Sequence, residues 1–247
     1  SSMMRTIATL QDPDKGSIFF DELNILENSQ EFRKNLGYLP QEFGVYPRIS
    51  AEQLLDHIAT LKGITNKLER KDLVSYLLQK VNLFDRKNKN VKGFSGGMKQ
   101  RIGIAQALIG NPKILIVDEP TAGLDPGERN RFYDLISDVG EEVIVILSTH
   151  IVDDVRELCT QMAIMNNGQI VFNGSPDEGI NSLKGKVYEK QIARSELDSY
   201  KKEYNVISNK LIGGKPVIHV LGEKNPDKSF KKIEPSLEDV FFTNIQK

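Results

Sequence analysis

One cysteine, no tryptophan and no apolar run longer than five residues are what this 247-residue chain has least of. Cys159 alone rules out an internal disulfide framework and a cysteine-rich zinc site, and it fits a reducing compartment. The two main apolar runs, Ile114–Val117 and Val143–Leu147, fall far short of the roughly 20 residues that span a bilayer. No basic stretch followed by an unbroken apolar one marks a secretory leader at the amino terminus. Excess charge of either sign is missing too: 33 basic against 34 acidic side chains leave −1, with no global field to draw nucleic acid. What remains, 39% apolar and 27% charged, is the composition of a globular protein of one or two domains.

Read along the chain, Met3, Met4, Ile7 and Leu10 share one helical face, and Asp12–Gly16 turns into a short strand at 17–20. Ser50 with Gln53 predicts a capping box. Leu54, Leu55, Ile58 and Leu61 follow as an apolar face, and Leu73, Leu77 and Val81 mark a second helix. A helical subdomain over about 45–110 is therefore expected, with a further helix carrying Met98, Ile102, Ala105 and Leu108. Ile114–Val117 and Val143–Leu147, separated by a helix around Phe132, Leu135 and Ile136, predict parallel strands covered on both faces. Asn166-Asn167-Gly168 predicts a hairpin, and beyond Lys184 the composition shifts to lysine and glutamate. The expected organisation is an α/β core over 1–184 and a small α+β extension over 185–247.

Four junctions carry chemistry. Ile114–Val117 ends in Asp118-Glu119, and ligands of open α/β sheets sit beyond the carboxyl ends of the strands. One carboxylate there can organise Mg²⁺ and the next can activate water, although the pair alone would also serve as a strand cap. Ser95-Gly96-Gly97 opens a helix, which makes either a plain N-cap or an anion site of backbone N–H groups. His150 follows the second strand and would face the same crevice; alone it would read as structural. Gln41, after Leu39-Pro40, can ligate a metal or orient water, or be a solvated loop amide. His57 and His219 have no such setting.

Taken in order, Gln41, Ser95-Gly96-Gly97, Asp118-Glu119, Leu124-Asp125 and His150 resemble the nucleotide-binding domain of ABC transporters over residues 1–178. The spacings agree, with 54 residues from Gln41 to Ser95, 23 from Ser95 to Asp118 and 31 from Glu119 to His150. The resemblance implies a P-loop NTPase-like fold with a parallel sheet. It also implies an ATPase that uses ATP and Mg²⁺, with Gln41 in the Q-loop, Asp118 on the metal and Glu119 as general base. His150 would contact the γ-phosphate and Asp125 would form the D-loop. Ser95, Gly96, Gly97 and Met98 would form the signature loop that acts on nucleotide held by a second subunit. Phe94-Ser95-Gly96-Gly97-Met98 departs from the commonest signature, LSGGQ, at its two ends, which should tune the anion site rather than abolish it.

The phosphate-cradling motif GxxxxGK[ST] is absent from this sequence. Ser1 and Ser2 resemble the residues that directly follow its lysine, with Ser1 as a Mg²⁺-ligating hydroxyl; an expression remnant is the rival reading. The expectation is a chain truncated just before Ser1, active in the intact parent and a poor ATPase as it stands. Pro235–Phe242 resembles the carboxyl-terminal segment of ATPase subunits of ABC-2 type exporters. The implied partners are a second ATPase subunit, in a homodimer, and membrane-spanning permease subunits, at the cytoplasmic face of a membrane and without nucleic acid. Two alternatives stay open: a soluble ATPase of the same family working on ribosomes or DNA, and a non-catalytic interaction module.

Overall fold

Ile114–Val117 is a fully buried strand with a parallel neighbour on each side. The computed structural model containing it describes residues 2–41, 44 and 48–246 and divides into two compact units, Ser1–His150 and Ile151–Lys247. The first unit starts with α1 (Ser2–Ile7), the antiparallel pair β1 (Phe19–Phe20) and β2 (Leu23–Asn24), α2 (Ser29–Lys34) and β3 (Leu36–Leu39). Then come α3 (Ala51–Leu61), α4 (Lys67–Lys80), α5 (Gly96–Ala107), β4 (Ile114–Asp118), α6 (Pro126–Gly140) and β5 (Ile144–Ser148). The sheet order is β3-β4-β5, all parallel, so the expected α/β core is present.

One face of that sheet carries a core of Met4, Ala8, Ile25, Phe32, Leu36, Ile114 and Ile116, with Phe20 edge-on to Phe32 at 5.6 Å. Leu10, expected on the buried face of the first helix, is 54% exposed because α1 stops at Ile7. Leu61 is exposed as well, since the covered stripe of α3 is Ala51, Leu54, Leu55 and Ala59 and the helix ends beyond it. The second apolar run departs from expectation further. β5 pairs only with β4 among the described strands, so it lies at an edge and Ile144 is 61% exposed.

The capping box predicted at Ser50 is formed: its Oγ accepts from the Gln53 N–H at 3.2 Å and its own N–H donates to Gln53 Oε1 at 3.0 Å. Ser50→Ala should lower the stability of the first unit by about 1 kcal/mol, the usual worth of such a cap. An unchanged urea midpoint in the variant would contradict this.

The second unit contains α7 (Val152–Leu158), the hairpin β6 (Met162–Asn166) and β7 (Gln169–Gly174), α8 (Pro176–Ser182), β8 (Val187–Gln191) and α9 (Leu197–Glu203). β9 (Val206–Ile212), β10 (Lys215–Leu221), β11 (Lys231–Lys232) and α10 (Leu237–Ile245) complete it. The hairpin turns at Asn167 and Gly168, with φ of 49° and 77°, the doubly positive geometry that matches strand twist. A four-stranded antiparallel sheet of order β11-β8-β10-β9 supports α10, which packs Leu237 and Val240 against Ile164, Val187 and Ile207. The boundary expected after Lys184 falls inside this unit, between α8 and β8.

Candidate functional site

Parallel pairing decides which side chains share the carboxyl edge of the first unit's sheet. Leu39 is level with Val117 and Asp118 with Ser148. Gln41 therefore lies two residues past the end of β3, Glu119 one past β4 and His150 two past β5. Neighbouring strands stand about 4.8 Å apart, so these residues end up on one rim.

At Glu119 the backbone adopts φ of 51°, a left-handed conformation that a non-glycine residue holds at a cost of about 1–3 kcal/mol. Its N–H extends the ladder to the Ser148 carbonyl at 2.8 Å. The carboxylate is only 16% exposed and His150, 72% exposed, brings Nδ1 to 2.6 Å from its Oε2. That contact is close without hydrogen-bond alignment, and Glu119 Oε2 is buried with no hydrogen-bond partner. The strand end thus presents a largely buried carboxylate against the His150 ring, at the expense of local strain.

Asp118, the last residue of β4, is buried at 3% exposure and engaged by neighbouring groups. Its charge reaches Tyr38 on β3: burial first, then the Asp118 carboxylate, push that phenol above its ordinary value. Among the described residues no three His, Cys, Asp or Glu side chains converge into a metal cage. A Mg²⁺ ion held by one carboxylate, an amide and phosphate oxygens needs no such cage, so Asp118 and Gln41 suit an ion that arrives with a nucleotide. Gln41 is exposed at the rim, and Ser2 is exposed at the start of α1. Ser1 lies outside the described residues.

A second cluster forms around the start of α5. Ser95 is the N-cap and its Oγ accepts from the Met98 N–H at 3.2 Å, leaving the hydroxyl proton free to donate. Phe94 is buried at 6% exposure, which explains an aromatic there: it belongs to the core, and the anion-facing groups follow it. The first-turn N–H groups of any helix have no intrahelical acceptor, and no acidic residue occupies the first turn of α5. Gly96 lies against Leu124, just before α6, and Gly97 against Glu128 in its first turn; Asp125 caps that helix by accepting from the Glu128 N–H at 2.9 Å. Asp118, Glu119 and His150 thus share one rim, while Ser95–Gly97 go with Asp125. Glu128 and Arg101, missed in the sequence, tie the second cluster together. The Asp125-x-x-Glu128 spacing, a helix-start pattern, was the available signal.

Residues 1–122 match the sequence profile of the family described as ABC transporter. An uncharacterized ABC transporter ATP-binding protein of Bacillus subtilis (strain 168), YxlF, is 30% identical over 229 residues, spanning 93% of this chain and 72% of that protein. The linearmycin resistance ATP-binding protein LnrL of the same organism is 31% identical over 186 residues, 75% of this chain and 60% of that one. Among solved structures, an ATP-binding subunit of an ABC transporter superimposes with a TM-score of 0.63 at 25% identity, covering 73% of this chain and 75% of the other.

Proposed function

The chain belongs to the ABC transporter family, and from that membership we propose that it is the ATP-hydrolysing subunit of an exporter, working as a pair. Residues 1–184 act as the nucleotide-binding domain and 185–247 as a carboxyl-terminal extension. The observation that carries this is Glu119: a strained residue at the end of a buried strand, its largely buried carboxylate 2.6 Å from His150.

Glu119 takes a proton from the water that attacks the γ-phosphorus in line, the bond from phosphorus to the bridging oxygen breaks so that ADP leaves and phosphate is released, and His150 contacts the γ-phosphate. Asp118 and Gln41, with Ser1, would hold the metal, and Ser2 would flank the phosphates. Bound Mg²⁺ supplies charge neutralisation at the phosphates. Ser95, Gly96, Gly97 and Met98 of one subunit offer N–H and hydroxyl donors to the γ-phosphate on the other, an arrangement of the oxyanion-hole kind. Asp125 lies at the junction between the subunits.

Export is supported by the Pro235–Phe242 segment and by the resistance function that LnrL's name carries. Among the described residues no helix is long and apolar enough to cross a membrane. In this reading the chain attaches at the cytoplasmic face through separate permease subunits, and balanced charge favours no nucleic-acid partner.

The pair can be tested by sedimentation of the intact subunit carrying Glu119→Gln. It should be monomeric without nucleotide and dimeric with ATP, and Ser95→Arg added to it should keep it monomeric. A species indifferent to ATP would defeat the paired reading.

A further inference from the structure

Glu128 sits on the third residue of α6, and its surroundings are unusual for a helix-surface glutamate. Its side chain is 15% exposed and lies directly over Gly97. A Cβ built on Gly97 would stand 2.1 Å from Glu128 Oε2, 2.6 Å from Cδ and 2.8 Å from Cγ, so any side chain there would displace this carboxylate. Oε2 also faces Arg101 Nη2 at 3.3 Å, and Oε1 faces Arg131 Nη1 at 2.8 Å. Arg101 is itself anchored, with Nη1 donating to the Val81 and Asn82 carbonyls at 3.2 Å.

From this geometry we infer that Glu128 is a positioning residue for the Ser95–Gly97 loop, an inference that rests on the function proposed above. An exposed ion pair of this kind would be worth little. Here the carboxylate is largely desolvated and joins three elements: the capped start of α6, the start of α5 and the residues after α4. Two guanidinium groups, those of Arg101 and Arg131, face the one carboxylate of Glu128, so its charge beside the α5 amino terminus is offset. Glu128 therefore holds Gly97 without cancelling that terminus's pull on a phosphate. Because Asp125 caps the turn that carries Glu128, a shift of the D-loop is transmitted to the signature loop through one side chain.

The test is steady-state ATP hydrolysis by the intact subunit carrying Glu128→Gln, with Glu128→Asp, which keeps the charge but withdraws it from Gly97, as the milder variant. A misplacement of about 1 Å costs up to roughly 100-fold in a positioned reaction. Glu128→Gln should therefore lower kcat about tenfold or more, and Glu128→Asp severalfold. The KM for ATP, set by the other face of the site, should stay within about twofold, and both variants should stay folded at the assay temperature, because Gln and Asp each keep an oxygen for the guanidinium groups. A kcat within about twofold of the parent in both variants would overturn the inference. So would a kcat loss matched by a collapsed thermal midpoint in both, which would make Glu128 a strut for folding. Glu119→Gln assayed alongside separates the two levels. Full turnover in Glu119→Gln defeats the reading of the site, whereas a dead Glu119→Gln beside an active Glu128→Gln defeats only the positioning role.

Discussion

Glu119→Gln in the intact subunit should cut ATP turnover by about 10²–10⁴-fold, the usual contribution of a positioned general base. The amide keeps the shape of the side chain, so the strand end, with its N–H bound to Ser148, has no reason to move. What disappears is the proton acceptor: an amide oxygen can orient a water but cannot take its proton. Nucleotide affinity should be unchanged or higher, because one negative charge leaves the neighbourhood of the phosphates. Binding by calorimetry together with turnover by phosphate release checks both halves. A variant retaining more than about a tenth of the parent's turnover would mean that Glu119 is not the base.

In the second unit the largest effect is expected for Asp239→Ala. Asp239 is fully buried and its Oδ2 accepts from both the N–H and the hydroxyl of Ser236 at 2.8 Å, which starts α10. Its Oδ1 meets His219 Nδ1 at 2.7 Å, and His219 Nε2 lies 3.5 Å from Glu189 on β8. Lys210 on β9, itself paired with Glu238, is the cation that opposes a charge on His219. Removing one member of a buried pair leaves the other uncompensated and costs about 3–5 kcal/mol, so α10 should detach or the second unit should unfold at a much lower urea concentration.

The same pair predicts a pH profile. The hydrogen bond to Asp239 raises His219 above its ordinary value despite burial, which acts the other way. Burial would raise Asp239, but the His219 bond and the Ser236 donors outweigh it and hold the carboxyl below its usual range. A raised histidine contributes stability that is complete below about pH 6.5 and lost as pH rises through its folded-state value. A lowered carboxylate contributes above about pH 4 and loses its share as pH falls through the depressed value. Stability of the second unit should thus decline from pH 6 into the alkaline range, and Asp239→Ala should flatten that decline. A variant whose midpoint falls as steeply with pH as the parent's would exclude the pair as the cause.

How far these features could be read from the residues depends on how local their causes are. β4 was legible because a continuous apolar run with neighbours on both sides is buried throughout, and Ser50 with Gln53 and the Asn167-Gly168 turn act within four residues. β5 has the same apolar character yet pairs only with β4 among the described strands, and the run itself does not encode which strands pair. Among the site residues, the Asp118-Glu119 pair stood out at a strand end, but the left-handed backbone of Glu119 and its contact with His150 did not. Glu128 sits in Gly127-Glu128-Arg129-Asn130-Arg131, which reads as a solvated helix face. Its burial comes from the missing Cβ of Gly97, 31 residues earlier. His219 and Asp239, 20 residues apart, meet only because α10 folds back on the sheet.

The most direct measurement is the specific ATPase activity of the intact subunit at saturating Mg²⁺-ATP over a wide range of subunit concentration. A site assembled from Glu119 and His150 of one chain and Ser95–Gly97 of another needs two chains to meet. Activity per subunit should then rise with concentration and level off once pairs predominate. A constant activity per subunit down to concentrations at which sedimentation finds only monomers would place every catalytic group in a single chain and contradict the shared site.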